Sequence, residues 1–449
     1  MRKPTHRILL LLTAASLACG ISVAFAQTAI PGNSQDSFDN FRPIDYQRLL
    51  EAALVAIESG EFESARQSIS DSLQIIKVNH GLLSVEQFPA LQLMTQTAIA
   101  QHDWPALDQH LAYFEWLLGK LEPTAIESYL SGAEILNNLY LSAAADSNNP
   151  QNAHYLIAAK QLNWRAVTAM EQRFGKTSLR LAPWLYDIVL THYYQTTLTR
   201  RKGMTSYDYK STTPVIVSGW SLSKNESLEQ SYSIGQELLQ RIRTLYADST
   251  AASASTDAQI LLLIADWELL FGKGSSAEAL YRTAYASLQQ ANVDKETLLA
   301  WFAQPLIIPQ REFIATGPVP PQPSNATLNL IAWSAVFPGT LQPPGLAGNL
   351  PLPAAKFSAT ARLNLVSNNV STLSSNAIAP NVFSYGISNL SIESMTPDNE
   401  LVASMARSQI AELQFRPLLI DATVTAASDI RLHYVFTADT GFSMLTDAK

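Results

Sequence analysis

From about Asp45 to Phe313, apolar residues recur at three- and four-residue spacing, the pattern of helices that each bury one face. Leu49, Leu50, Ala53, Leu54 and Ile57 form one stripe, and Gly60 closes it. A second stripe opens at Phe62. Similar punctuation returns at His102-Asp103-Trp104, and at Gly274 to Ala279 behind Trp267, Leu270 and Gly272. Gly81, Gly119 and Gly175 each precede a polar or proline restart, so helices are expected to stop there. Thr205 to Lys224 lacks clean periodicity and reads as a long loop.

Past Phe313 the pattern changes. Nine of the 23 prolines lie between Pro318 and Pro353, and Lys356 is the sole formal charge from Ile314 to Ala361. Proline fixes φ and removes a donor, so this stretch reads as a semi-rigid spacer, with Thr327 to Trp333 alternating enough for one strand. Two-residue alternation then takes over. Ala361, Leu363 and Leu365 mark one strand, and Leu390 and Ile392 a second. Pro397 to Glu400 opens a helix with Val402, Ala406, Ile410 and Leu413 on one face. Ile430, Leu432, Tyr434 and Phe436 mark a last strand. The Asn- and Ser-rich stretch from Ser367 to Gly386 reads as a long connection.

Two family resemblances sharpen this picture. Gly60-Glu61-Phe62-Glu63-Ser64-Ala65 resembles the turn between the paired helices of a tetratricopeptide repeat, which implies stacked pairs forming a solenoid. The order strand, strand, helix, strand, with the helix running out through Leu413-Gln414-Phe415-Arg416-Pro417, resembles the C-terminal domain of the TonB energy transducer. The expected fold is therefore α + (α+β): an α-solenoid over residues 45–313, a proline-rich linker over 314–356 and a small ββαβ module over 357–440. The TonB resemblance implies that the last strand is a sheet edge on which extended partner segments can pair. The candidate edge runs from Ile430 to Thr437. Arg431, His433 and Val435 point away from the helix-packing side and are the candidate partner-binding residues. The transducer's intramembrane histidine is missing, since His6, in the basic leader, is the only N-terminal one.

Arg2, Lys3, His6 and Arg7 precede an apolar run from Ile8, and Ala24-Phe25-Ala26 offers a small-x-small cleavage pattern before Gln27. This predicts a signal peptide over residues 1–26, a linker over 27–44 and delivery to a Gram-negative periplasm. Retention as an anchor and lipidation at Cys19 are the alternatives, and only they would hold the protein at a membrane. Losing the leader takes the net charge from −8 to −11, which disfavours nucleic acid as a partner. Cys19 is the sole cysteine, so a cleaved chain has no thiol chemistry.

The seven histidines include no zinc-binding i, i+4 pair; His102 and His110, two turns apart with Asp103 and Asp108 nearby, are the nearest approach to a metal site. Ser221-Leu222-Ser223-Lys224 matches a serine-enzyme S-x-x-K without its companion motifs. No catalytic residue, metal or cofactor is therefore expected. The reading is a non-enzymatic periplasmic adaptor that binds envelope proteins or their extended segments. A TonB-type transducer with a retained anchor and an envelope glycan-acting enzyme are the alternatives.

Overall fold

The structure is a computed structural model, and it describes residues 43–122, 125–146, 148–202, 224–314, 328–331, 356–370 and 382–437. The expected leader, the Cys19 site, the loop before Lys224, Ser221 and most of the proline-rich stretch lie outside these residues. The described chain is a mostly helical N-terminal region followed by a small, largely antiparallel sheet region.

Ten helices build the first region: α1 (Pro43–Glu58), α2 (Phe62–His80), α3 (Phe88–Ala100), α4 (Trp104–Leu121), α5 (Ile126–Ala145), α6 (Asn152–Phe174), α7 (Leu181–Lys202), α8 (Lys224–Ala247), α9 (Ala254–Leu270) and α10 (Gly274–Gln290). They pack as successive pairs, α1 on α2 through α9 on α10, and α3 also meets α1 and α5. The sequence stripes are the buried faces: Ala53 and Ile57 of α1 meet Ala65, Ile69 and Ile76 of α2 in one apolar core.

Two turn geometries set this pairing. In three pairs, α1–α2, α3–α4 and α9–α10, the chain closes with a residue in left-handed conformation. Gly60 (φ 77°) donates to the Ile57 carbonyl and Glu61 to that of Ala56, the double closure of a Schellman cap. Gly272 (φ 77°) and His102 (φ 54°) repeat both bonds, so the His102 turn is a true copy of the Gly60 turn despite carrying a side chain. Between pairs, Gly81 and Gly175 stop α2 and α6, and Ser84 and Ser178 accept from backbone N–H groups two residues on. Gly119 departs from expectation: it lies inside α4, which runs on to Leu121.

After α11 (Lys295–Phe302) come β1 (Leu306–Ile308), β2 (Leu328–Ile331), β3 (Lys356–Val370), β4 (Val382–Thr396), α12 (Glu400–Ala411), β5 (Gln414–Arg416), β6 (Leu418–Ile420), β7 (Thr423–Thr425) and β8 (Ala427–Thr437). The predicted order of strand, strand, helix, strand is present as β3, β4, α12, β8. Val402, Ala406 and Ile410 of α12 pack on Leu363, Leu365, Leu432 and Tyr434, so the two apolar periodicities meet face to face. The connection between β3 and β4 is shorter than its composition implies, because both strands carry ladder hydrogen bonds out to Val370 and Val382.

The main sheet has the order β2-β8-β3-β4. This corrects the expected free edge. β8 is an interior strand, antiparallel to β3 on one side and parallel to β2 on the other, with Leu328 opposite Leu432 and Ile331 opposite Val435. The short alternating run in the proline-rich stretch is the strand that covers it.

The two regions are also stitched together directly. β1, directly after the helices, pairs with β5, with Ile307 opposite Phe415. Leu419 of β6 enters the apolar cluster of α9, α10 and α11 beside Leu262, Tyr281 and Phe302. Arg416 reaches Asp266 of α9 through two bonds, Nε at 3.0 Å and Nη2 at 2.5 Å, and both side chains are about 95% buried. The Tyr281 hydroxyl donates to the same carboxylate at 2.7 Å. Among the described residues no helix is long and apolar enough to cross a membrane.

Candidate functional site

Arg431, His433 and Val435 share the face of the sheet opposite α12, as their alternation with the buried Leu432 and Tyr434 requires. Their surroundings are ionic: Arg362 bonds Glu393 at 2.6 Å and Asp429 at 2.8 Å, and Arg431 lies 3.8 Å from Glu393. His433 Nδ1 is 3.5 Å from the Thr360 hydroxyl. Two arginines and two carboxylates balance there, so the patch selects for neither sign of charge. With β8 paired on both sides along Leu432 to Val435, His433 and Val435 cannot flank an incoming strand.

The histidine pair separates. His102 sits in the turn before α4, with Nδ1 3.2 Å from Asp146 Oδ2, whereas His110 lies within the helix. Burial lowers the pKa of His110, against the pull of Asp103. Asp103 itself caps α4, accepting from the Ala106 N–H at 3.2 Å. Among the described residues no group of three or more His, Cys, Asp or Glu is placed to hold a metal.

A polar cluster that periodicity did not reveal lies between α6, α7 and α8. Lys160 donates to Gln195 Oε1 at 3.2 Å, and His192 Nδ1 lies 3.4 Å from the Ser231 hydroxyl. Burial drives the imidazole down to about 3, helped by the Lys160 charge, so His192 is neutral at ordinary pH. Burial also lowers the half-buried Lys160 to about 8. A neutral imidazole beside a hydroxyl invites comparison with a nucleophile and its base. Among the described residues, however, no carboxylate bonds this imidazole to orient it.

The first region also carries an exposed aromatic and cationic patch. Tyr113 and Trp116 of α4 stack at 5.6 Å, with Lys77 of α2 4.6 Å above the tyrosine and Lys120 6.0 Å from the Trp116 ring centre. The Tyr113 hydroxyl donates to Gln87 Oε1 at 2.8 Å, and the Gln87 amide donates to the Leu82 carbonyl at 3.0 Å. That relay ties Tyr113 to the turn bearing Leu82 and Leu83, which are 64% and 49% exposed; Trp116 is 45% exposed. Tyr113, Trp116 and Lys120 are at i, i+3 and i+7 and so share one helix face. Glycines, a buried Gln and two long cations are needed to assemble this patch, and hydrophobic periodicity marks none of them.

The chain matches no family model and no curated protein. Among solved structures it is similar to a circular tandem repeat protein described as having novel repeat topology and enhanced subunit contact surfaces. The identity is 15% and the TM-score 0.32, over 55% of this chain and 57% of that one, so the chain spans just over half of that structure.

Proposed function

We propose that the protein is a non-enzymatic scaffold that binds other proteins through the surface of its helical region. The observation that carries this reading is the patch of Leu82, Leu83, Tyr113 and Trp116 flanked by Lys77 and Lys120. Single exposed apolar residues are ordinary, but here a hydrogen-bond relay ties a turn bearing two exposed leucines to a stacked aromatic pair attended by two cations. Aromatic side chains dominate binding energy because they bury large area at small entropic cost. The lysines favour a partner segment that combines acidic residues with an apolar anchor, and the net charge of −8 makes such a local basic surface selective. The basic and apolar leader supports export and partners in the bacterial envelope. Strand addition at β8 has no part in this reading.

The test combines Trp116→Ala with Lys77→Glu in the full chain. A photo-reactive side chain at Leu83 crosslinks a discrete partner in envelope extract. The double variant, still folded by circular dichroism, loses that adduct. Undiminished crosslinking in the double variant refutes the patch as the binding surface. N-terminal sequencing of the exported protein, expected to begin at Gln27, checks the export step separately.

A further inference from the structure

Immediately after β1, the chain leaves the sheet region and lies against the helices as an irregular segment that bends at Pro309, Arg311 and Glu312. The Gln310 carbonyl accepts from the Tyr186 hydroxyl of α7 at 2.6 Å. The Arg311 guanidinium reaches Asp187 Oδ1 of α7 at 2.7 Å and Asn138 Oδ1 of α5 at 3.1 Å, and only 8% of its side chain is exposed. Phe313 packs at 5.7 Å from the Tyr186 ring and 6.1 Å from that of Tyr246 in α8. Three helices thus present a hydroxyl donor for the segment's backbone, an acidic slot and an aromatic wall to one short stretch of chain. Hydrogen bonds to the main chain with pockets for chosen side chains are the contacts that fix a short peptide on a receptor.

The acidic slot also carries more negative charge than Arg311 offsets. Glu134 of α5 stands at its solvent-exposed rim, and the surrounding protein together with repulsion from Asp187 raises its pKa, against the pull of Arg311. The fit is incomplete: among the described residues, Arg311 Nε and Asn137 Oδ1 are buried without a hydrogen-bond partner. A permanent core contact normally satisfies such atoms.

We infer that the face made by Asn138, Tyr186, Asp187 and Tyr246 is a peptide-binding site. Its ligand is a short segment of a partner protein bearing an arginine followed two residues later by an aromatic. Residues 310–313 of the chain are the resident competitor. Tethering gives that competitor an effective concentration in the millimolar range, so a free segment binds only in proportion to the time the site is vacated. This site is separate from the patch around Trp116 and stands or falls independently of it.

The probe is a fluorescent synthetic peptide spanning residues 306–316, titrated by anisotropy into the full chain. The double variant Arg311→Ala and Phe313→Ala, which empties the slot but leaves its walls intact, binds the peptide at least tenfold tighter than the unaltered protein. Adding Asp187→Asn to that background, or replacing the peptide's arginine by alanine, abolishes the gain. Equal affinity for the unaltered protein and the double variant overturns the inference. Where the variant fails to fold, hydrogen exchange of the unaltered protein decides. Excess peptide then speeds exchange at residues 310–313, and unchanged protection overturns the inference.

Discussion

Removing Arg416 tests the junction between the helices and the sheet most severely. Its guanidinium supplies two of the three hydrogen bonds to Asp266, with Tyr281 supplying the third. Arg416→Met fills similar volume but leaves the Asp266 carboxylate about 95% buried with a single donor. Breaking a buried pair from one side costs about 3–5 kcal/mol, because the surviving charge has neither water nor a counter-ion. The pair's net contribution is far smaller, since its attraction mainly offsets the desolvation of two ions. Asp266→Asn combined with Arg416→Met therefore recovers most of the loss, ending within about 1–2 kcal/mol of the unaltered protein. Urea unfolding followed by intrinsic fluorescence measures all four corners of the cycle. A coupling energy below about 1 kcal/mol would refute the reasoning, because the two charges would then be solvated or independently partnered.

Three other expectations follow from the packing and the titrating groups. A Cβ on Gly235 would sit 2.1 Å from the Trp267 ring, and one on Gly132 2.4 Å from Leu118 and 2.6 Å from Phe88. Gly235→Ala and Gly132→Ala each lower stability by roughly 1–3 kcal/mol despite the better helix propensity of alanine, and thermal melts check this. His192 titrates near 3 when folded and near 6.5 when unfolded, so over that range the unfolded chain binds the extra proton. Its contribution to stability is complete above about pH 6.5 and is lost as pH falls toward 3; His192→Leu flattens that acid limb in denaturation curves taken across pH. Lys160, at about 8 folded against about 10.5 unfolded, makes stability rise as pH climbs through that interval, and Lys160→Met removes the rise.

Much of the fold was legible because burial leaves a period in the sequence. Ile69 and Ile76 in α2, Ala406 and Ile410 in α12, and Leu432 and Tyr434 in β8 all face cores as their spacing required. Turn chemistry was legible where glycine was indispensable, as at Gly60 and Gly272, and misleading where glycine merely sits in a helix, as at Gly119. The His102 turn shows that a residue with a Cβ can hold the same cap when the flanking helices dictate it. Of the candidate site, the orientation of Arg431, His433 and Val435 was legible and their neighbours were not. Which strand lies beside which is a long-range choice, and the alternation of Leu328 to Ile331 is equally compatible with a free strand.

The sequence by itself determined most of the long helices and strands and the faces they bury, since local sterics and hydrophobic period set these. Tertiary structure alone decided that β2 closes the edge of β8, that Arg416 finds Asp266 150 residues away, and that Arg311 returns to Asn138 and Asp187. The reason is physical. A backbone edge or a lone charge carries no periodic mark of its partner, and pairing is settled only when distant segments compete to satisfy the same desolvated groups.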